Sequence, residues 1–151
     1  MYAYNYHAPS GLTPKIKSSS RSYESQKGED FVAESINRYP GEITIVALGP
    51  LTSIVRAFRI DPTLSQRVDR IYVMGGAIEC LGNVTPWAEF NIYDDPVAAN
   101  VVFSKGAPVT LVGLDVCHLV FVNRTDLPWP FVNSLKRSAV CRKILTSWFA
   151  Y

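Results

Sequence analysis

The fold class the sequence predicts is α/β: a mostly parallel, open sheet with helices on both faces. Three observations predict it. Three apolar, β-branched runs recur along the chain, at "ITIVALG", "RIYVMGG" and "PVTLVGLDV". Segments with helix-start chemistry and helical spacing lie between them. The connections are short, and strands alternating with helices over short links form parallel sheets.

The first part, Met1 to Gly28, holds "APSGLTPK" and "KSSSRSYES" and reads as loop, rich in Pro, Gly and Ser. Tyr2, Tyr4 and Tyr6 alternate, as in a short strand. From Glu29 a helical stripe runs through Phe31, Val32 and Ile36, ended by Pro40 and Gly41. The run "ITIVALG" suits a strand buried on both faces. Pro50 follows as the first residue of a helix, where its missing N–H costs nothing, with Leu51, Ile54, Val55 and Phe58 on its apolar side. The second strand is Arg70 to Gly76. The segment "DDPVAANVVFSKG" predicts a helix capped by Asp95, with Pro96 first and Gly106 just past its end. After the third strand, the spacing of Val132, Leu135, Val140, Ile144, Leu145 and Trp148 predicts a helix from Phe131 to Tyr151. Three strands are few for such a sheet, and the expectation is one partial domain over residues 1–151 with neighbours missing at its edges.

Composition narrows the function. Of 151 residues 48% are hydrophobic and 19% charged, a globular balance. A net charge of +2 with scattered basic residues argues against a nucleic-acid partner. No apolar run reaches the ~20 residues that cross a bilayer, so no membrane partner is expected. Cys80, Cys117 and Cys141 are an odd count without close spacing, which argues against a disulfide framework and against a zinc site. Reduced thiols point to the cytoplasm.

In open parallel sheets, ligands bind beyond the carboxyl ends of the strands. Here those ends lead into "GPLTS", "MGGAIECLGNVTPWAEFN" and "GLDVCH". Within "AEFN", read as extended chain, Glu89 and Asn91 share a side and Phe90 faces away. A carboxylate that accepts and an amide that both donates and accepts suit vicinal hydroxyls. Asn83, six residues before Glu89, is a third contact of the same kind. The same spacing also suits residues that cap turns and helix starts. Asp94 and Asp95 read as a helix cap rather than as paired catalytic carboxylates. Gly75–Gly76 lacks the pattern of a phosphate loop, and His7 and His118 are lone histidines.

Together, "ITIVALGPLTSI", "MGGAIECLGNVTPWAEFNIYDDPVAA" and "PVTLVGLDVCH" resemble the inosine–uridine preferring nucleoside hydrolase family, from about His7 to His118. The resemblance implies a Rossmann-like α/β domain that hydrolyses the N-glycosidic bond of ribonucleosides to ribose and free base. It implies a calcium ion at the sheet edge and a small nucleoside as partner, with homo-oligomers common. It matches Asn83, Glu89 and Asn91 to ribose-binding residues, Met74 to the pocket lining, and His7 in "HAPSGL" to a loop beside the base. It matches Thr52 to a threonine whose backbone carbonyl holds the metal. The chain departs from the family in lacking its D-x-D-x-G-x-D-D cluster and its late His-Asp pair, so the metal-cluster aspartates are missing and no catalytic residue is assigned. Ser53 stands where Asn is frequent, Cys117 where Thr is usual, and Trp87 where a small residue is usual. The expectation is that this chain alone is inactive. The alternative is a non-catalytic α/β relative that retains a ribose-binding face, or a plain α/β module whose site residues are relics.

Overall fold

The structure is a computed structural model that describes residues 25–121 and 123. The strand expected at Tyr2–Tyr6, the loop histidine His7, Cys141 and the helix expected from Phe131 to Tyr151 lie outside the described residues.

The described chain runs α1 (Gly28–Arg38), β1 (Thr44–Ala47), α2 (Thr52–Ile60), α3 (Leu64–Arg67), β2 (Arg70–Met74), α4 (Phe90–Asp94), α5 (Pro96–Ser104), β3 (Val109–Val112) and α6 (Leu114–Cys117). Three of these elements, α3, α4 and α6, are not foreseen by the sequence reading. The strands form one parallel sheet in the order β1-β2-β3. Ile45 stands opposite Ile71, and Ile71 opposite Val109, so apolar rows cross the sheet.

Glu29 and Asp30 in the first turn of α1 and Arg38 in its last turn complement the helix dipole. It buries Ala33 and Ile36, while Phe31, placed on the apolar stripe by the sequence, is 59% exposed. Helix α2 begins at Thr52 rather than at Pro50, with Leu51 as its N-cap, and buries Ile54, Val55, Ala57 and Phe58. Helix α5 follows its prediction closely: Asp95 caps it, Pro96 opens it, and Gly106 ends it at φ +77°. Short α3 is set by Asp61, whose Oδ1 accepts from both the backbone N–H and the hydroxyl of Thr63.

Parallel crossovers are right-handed. Two successive crossovers in the same direction, β1 to β2 through α2 and β2 to β3 through α5, therefore place both helices on one face. Contacts of α2 with α1 and α5 agree. That face holds the core: Ile36, Leu51, Phe58, Leu64, Ile71, Val73 and Val102 are all buried. Each such side chain contributes about 1.5–3 kcal/mol by leaving water. On the other face Thr44, Val46, Arg70 and Tyr72 are exposed. Strands β1 and β2 thus alternate in burial, while all four residues of β3 are half-buried; the apolar runs suggest burial on both faces.

Candidate functional site

Beyond Met74 the chain turns sharply through Gly75 and Gly76. Gly76 has φ +79°, a conformation that side chains with a Cβ adopt at a cost. Its N–H donates to Glu89 Oε2 (3.0 Å), and its carbonyl accepts from Leu114 N–H (2.9 Å) at the end of β3. The Gly76 N–H is therefore engaged inside the protein and is not offered to a phosphate.

The chain from Ala77 to Ala88 returns through a tight turn. Val84 N–H donates to Ala88 O (3.0 Å), and Gly82 N–H to Pro86 O (3.1 Å). The Thr85 hydroxyl accepts from the Trp87 and Ala88 N–H groups. A Cβ at Gly82 would collide with the backbone of Ala88 and the carbonyl of Thr85, so the turn requires glycine there.

The turn delivers Asn83 and Glu89 to the start of α4. The first N–H groups of a helix have no partner in the helix itself. Asn83 Oδ1 accepts from Phe90 N–H (2.8 Å), Glu89 Oε1 from Asn91 N–H (2.9 Å), and Glu89 Oε2 from Ile92 N–H (3.1 Å). The first in-helix bond then runs from Tyr93 N–H to Glu89 O (2.9 Å). Side chains thus satisfy the first three donors, which is why a five-residue helix forms. Here the expectation from the sequence needs correction. Glu89 and Asn91 do not alternate along a strand: Glu89 is the N-cap, and Asn91 is the second residue of α4.

They still converge. Asn91 Nδ2 donates to the Met74 carbonyl (3.1 Å) and lies 3.3 Å from the Met74 sulfur. Asn83, Glu89, Asn91 and Met74 therefore form one hydrogen-bonded unit at the carboxyl end of β2. Glu89 is 2% exposed and Asn91 8%. A carboxylate offers about four acceptor positions. Three are used here, by Gly76, Asn91 and Ile92. One acceptor position on Glu89 is not used by these three bonds. Glu89 also lines an apolar recess of about 410 Å³, with Trp87, Tyr93, Phe103 and Leu111 around it. Trp87 stands at its rim, 86% exposed.

Thr52 lies past the carboxyl end of β1. It is the first residue of α2, so its carbonyl points down the helix and enters the i to i+4 ladder. Its hydroxyl donates to Asp95 Oδ2 (2.6 Å). A backbone carbonyl has two lone pairs, so a place in the helix ladder leaves one for the metal contact that the resemblance assigns to Thr52. Among the described residues no group of three or more His, Cys, Asp or Glu side chains gathers closely enough to hold a metal ion. Calcium takes six to eight oxygens, usually with several carboxylates. The described residues do not fit that ion.

Asp95 caps α5 through Ala98 N–H (2.9 Å), as the sequence predicts for "DDP". Its hydrogen bond from Thr52, then that from Ala98, hold its carboxyl below the ordinary range, and the charges of Arg59 and Arg56 add to this against some desolvation. Neighbouring Asp94 is exposed. Cys80 and Cys117 are free thiols, and burial, then the charges of Asp115 and Cys117, push the Cys80 thiol up. His118 is exposed at the end of α6. No helix among the described residues is long and apolar enough to cross a membrane.

Comparison with known proteins adds to this geometry. A family model described as inosine-uridine preferring nucleoside hydrolase matches residues 1–150. Uridine nucleosidase 1 of Arabidopsis thaliana is 41% identical over 122 residues, covering 80% of this chain and 36% of its own. The pyrimidine-specific ribonucleoside hydrolase RihA of Citrobacter koseri is 41% identical over 123 residues, covering 81% of this chain and 39% of its own. Among solved structures, a purine-preferring ribonucleoside hydrolase from Gardnerella vaginalis superposes with a TM-score of 0.87 at 31% identity, over 98% of this chain and 47% of its own. A plant nucleoside hydrolase gives 0.80 at 36% identity, over 94% and 44%. The chain spans about two fifths of the length of the curated relatives it matches.

Proposed function

The chain belongs to the inosine-uridine preferring nucleoside hydrolase family, and from that premise we propose that it supplies the ribose-facing part of a ribonucleoside hydrolase. The reaction breaks the N-glycosidic bond and gives ribose and a free base. One observation carries the reading: Asn83, Glu89, Asn91 and Met74 form a single hydrogen-bonded unit at the edge where open parallel sheets take ligands.

The chemistry follows from the acceptors that remain. Departure of the base leaves an oxocarbenium-like ribosyl group. The Glu89 carboxylate and Asn91 Oδ1 accept from ribose hydroxyls, and their negative potential stabilises the positive charge as it develops. The Asn83 side-chain amide donates to a sugar oxygen. Asn83 and Glu89 are held by backbone N–H donors and Asn91 by its bond to the Met74 carbonyl, so they need no rearrangement as the bond breaks. The described residues supply the grip on the sugar.

Uridine is the first substrate to assay, because the names of the two curated relatives given above specify uridine and pyrimidine ribonucleosides. Inosine is the second. The cytoplasm is the proposed compartment, in keeping with the free thiols of Cys80 and Cys117. His7 is proposed to stand beside the base, and assembly into homo-oligomers is proposed from the family.

The test uses a longer gene product that carries this segment. Glu89→Ala and Asn91→Ala each lower kcat/KM for uridine by ~100-fold or more, because each removes contacts worth about 1.5–3 kcal/mol that strengthen in the transition state. Parental rates in both variants would sink the assignment. The poor fit to a metal favours a second reading, a relative that binds ribose without hydrolysis. Saturable ribose binding with no release of base or sugar would select it.

A further inference from the structure

The Asp95 carboxylate is shared between two helices. Its Oδ1 accepts from Ala98 N–H (2.9 Å) at the start of α5. Its Oδ2 accepts from the Thr52 hydroxyl (2.6 Å) at the start of α2. A cap for α5 needs only the first bond. The second joins residues 43 positions apart in sequence. Helix α2 has no capping side chain of its own, since its N-cap is Leu51. The Asp95 charge therefore stands at two helix N-termini at once, where negative charge is favoured.

The place of this bond matters more than its strength. The β1–β2 ladder pairs Thr44 with Arg70 through Ala47 with Val73, and goes no further. The candidate site lies beyond that ladder. Among the described residues, the Thr52–Asp95 bond is the side-chain hydrogen bond that joins the segment after β1 to the segment after β2. Asp95 is also the C-cap of α4, four residues after Asn91. A shift of Asp95 is a shift of the end of α4, and hence of the helix that carries Asn91.

We propose that Asp95 is a positioning residue, which acts through Thr52 to fix the turn after β1 against the Glu89–Asn91 pair. This rests on the reading of that edge as a ribose site. Asp95 touches no substrate in this role. It sets the spacing between the two sides of the cleft, so that contacts to one sugar stay in register. Arg56 and Arg59 lie on α2, and their charges favour its ionised form.

The experiment uses the 151-residue chain, with Thr52→Val to remove the hydroxyl at constant shape and Thr52→Ser to restore it. Amide hydrogen exchange and the NMR signals of the Asn91 side-chain amide are read in each. The expected result for Thr52→Val is a shift of the Asn91 signals and at least ~10-fold faster exchange at Asn91 and Ile92. Ala98, still capped by Asp95, keeps its protection. Thr52→Ser returns the parental pattern. Asn91 signals that do not move would overturn the proposal. So would equal loss of protection at Asn91, Ala98 and the core amide of Val73, which marks global destabilisation only. Uridine cleavage is measured separately in the longer gene product. Absence of cleavage there sinks the hydrolase reading, while the exchange data still decide the role of Asp95.

Discussion

Replacing Glu89 by Gln changes one atom and tests the construction of α4. The carboxylate takes three N–H groups: Asn91 on Oε1, Gly76 and Ile92 on Oε2. Glutamine has one acceptor oxygen. Placed at the Oε2 position, it keeps the bonds from Gly76 and Ile92 as neutral ones. The amide nitrogen then faces Asn91 N–H, donor against donor. Hydrogen bonds to a charged group contribute about 1.5–3 kcal/mol, against about 0.5–1.5 for neutral pairs, and a buried unsatisfied donor costs about 1–3 kcal/mol. Weakening two bonds and orphaning one donor sums to about 3–6 kcal/mol, reduced by whatever water reaches the site. Urea unfolding of the 151-residue chain measures the loss. Amide exchange localises it to Gly76, Asn91 and Ile92. A change under about 0.5 kcal/mol, with those amides still protected, would refute the claim that this carboxylate holds the helix start.

Three further outcomes are expected. The Asp95 carboxyl lies below its ordinary value of 3.8 because of the Thr52 and Ala98 bonds. A depressed carboxyl contributes stability that is full above the unfolded value and lost as pH falls through the folded one. Thermal melts taken at pH 6 and pH 3 should therefore show a larger drop in the parent than in Asp95→Asn, and equal drops would contradict the assignment. Gly82→Ala forces a Cβ into the backbone of Ala88 and Thr85, and should lower stability by about 1–3 kcal/mol in urea unfolding; a neutral effect would mean that the turn is not as tight as described. Calorimetric titration of the 151-residue chain with calcium should give no micromolar binding, and chelator-sensitive ribose release would reveal a metal site built by other residues.

Much of this structure is legible in sequence. The strands are visible because β-branched runs stand between breakers, and α5 is visible because "DDP" is a start signal followed by an apolar stretch. Helix α4 is not visible. Five residues are too few for a 3.6-residue period to declare itself, and Glu89 and Asn91, two apart, imitate the alternation of a strand. What makes the helix is three backbone donors meeting Asn83 and Glu89, which depends on the turn that brings Asn83 back. The sequence offers Asn83 and Glu89 both as ligand contacts and as caps of a helix start. The structure shows the capping outright. The sequence opens α2 at Pro50 and the structure opens it at Thr52, because helix ends shift by a residue or two in any sequence reading. The Thr52–Asp95 bond spans 43 positions and leaves no local trace.

The capping of α4 has an evolutionary consequence. Asn83 and Glu89 hold the start of a helix, so selection for folding alone preserves them. A descendant chain that stopped cleaving nucleosides would keep both residues for as long as it kept the fold. Groups that only serve turnover would drift first. In this chain, intact Asn83 and Glu89 therefore report a maintained scaffold, and turnover is to be judged by residues that fold nothing.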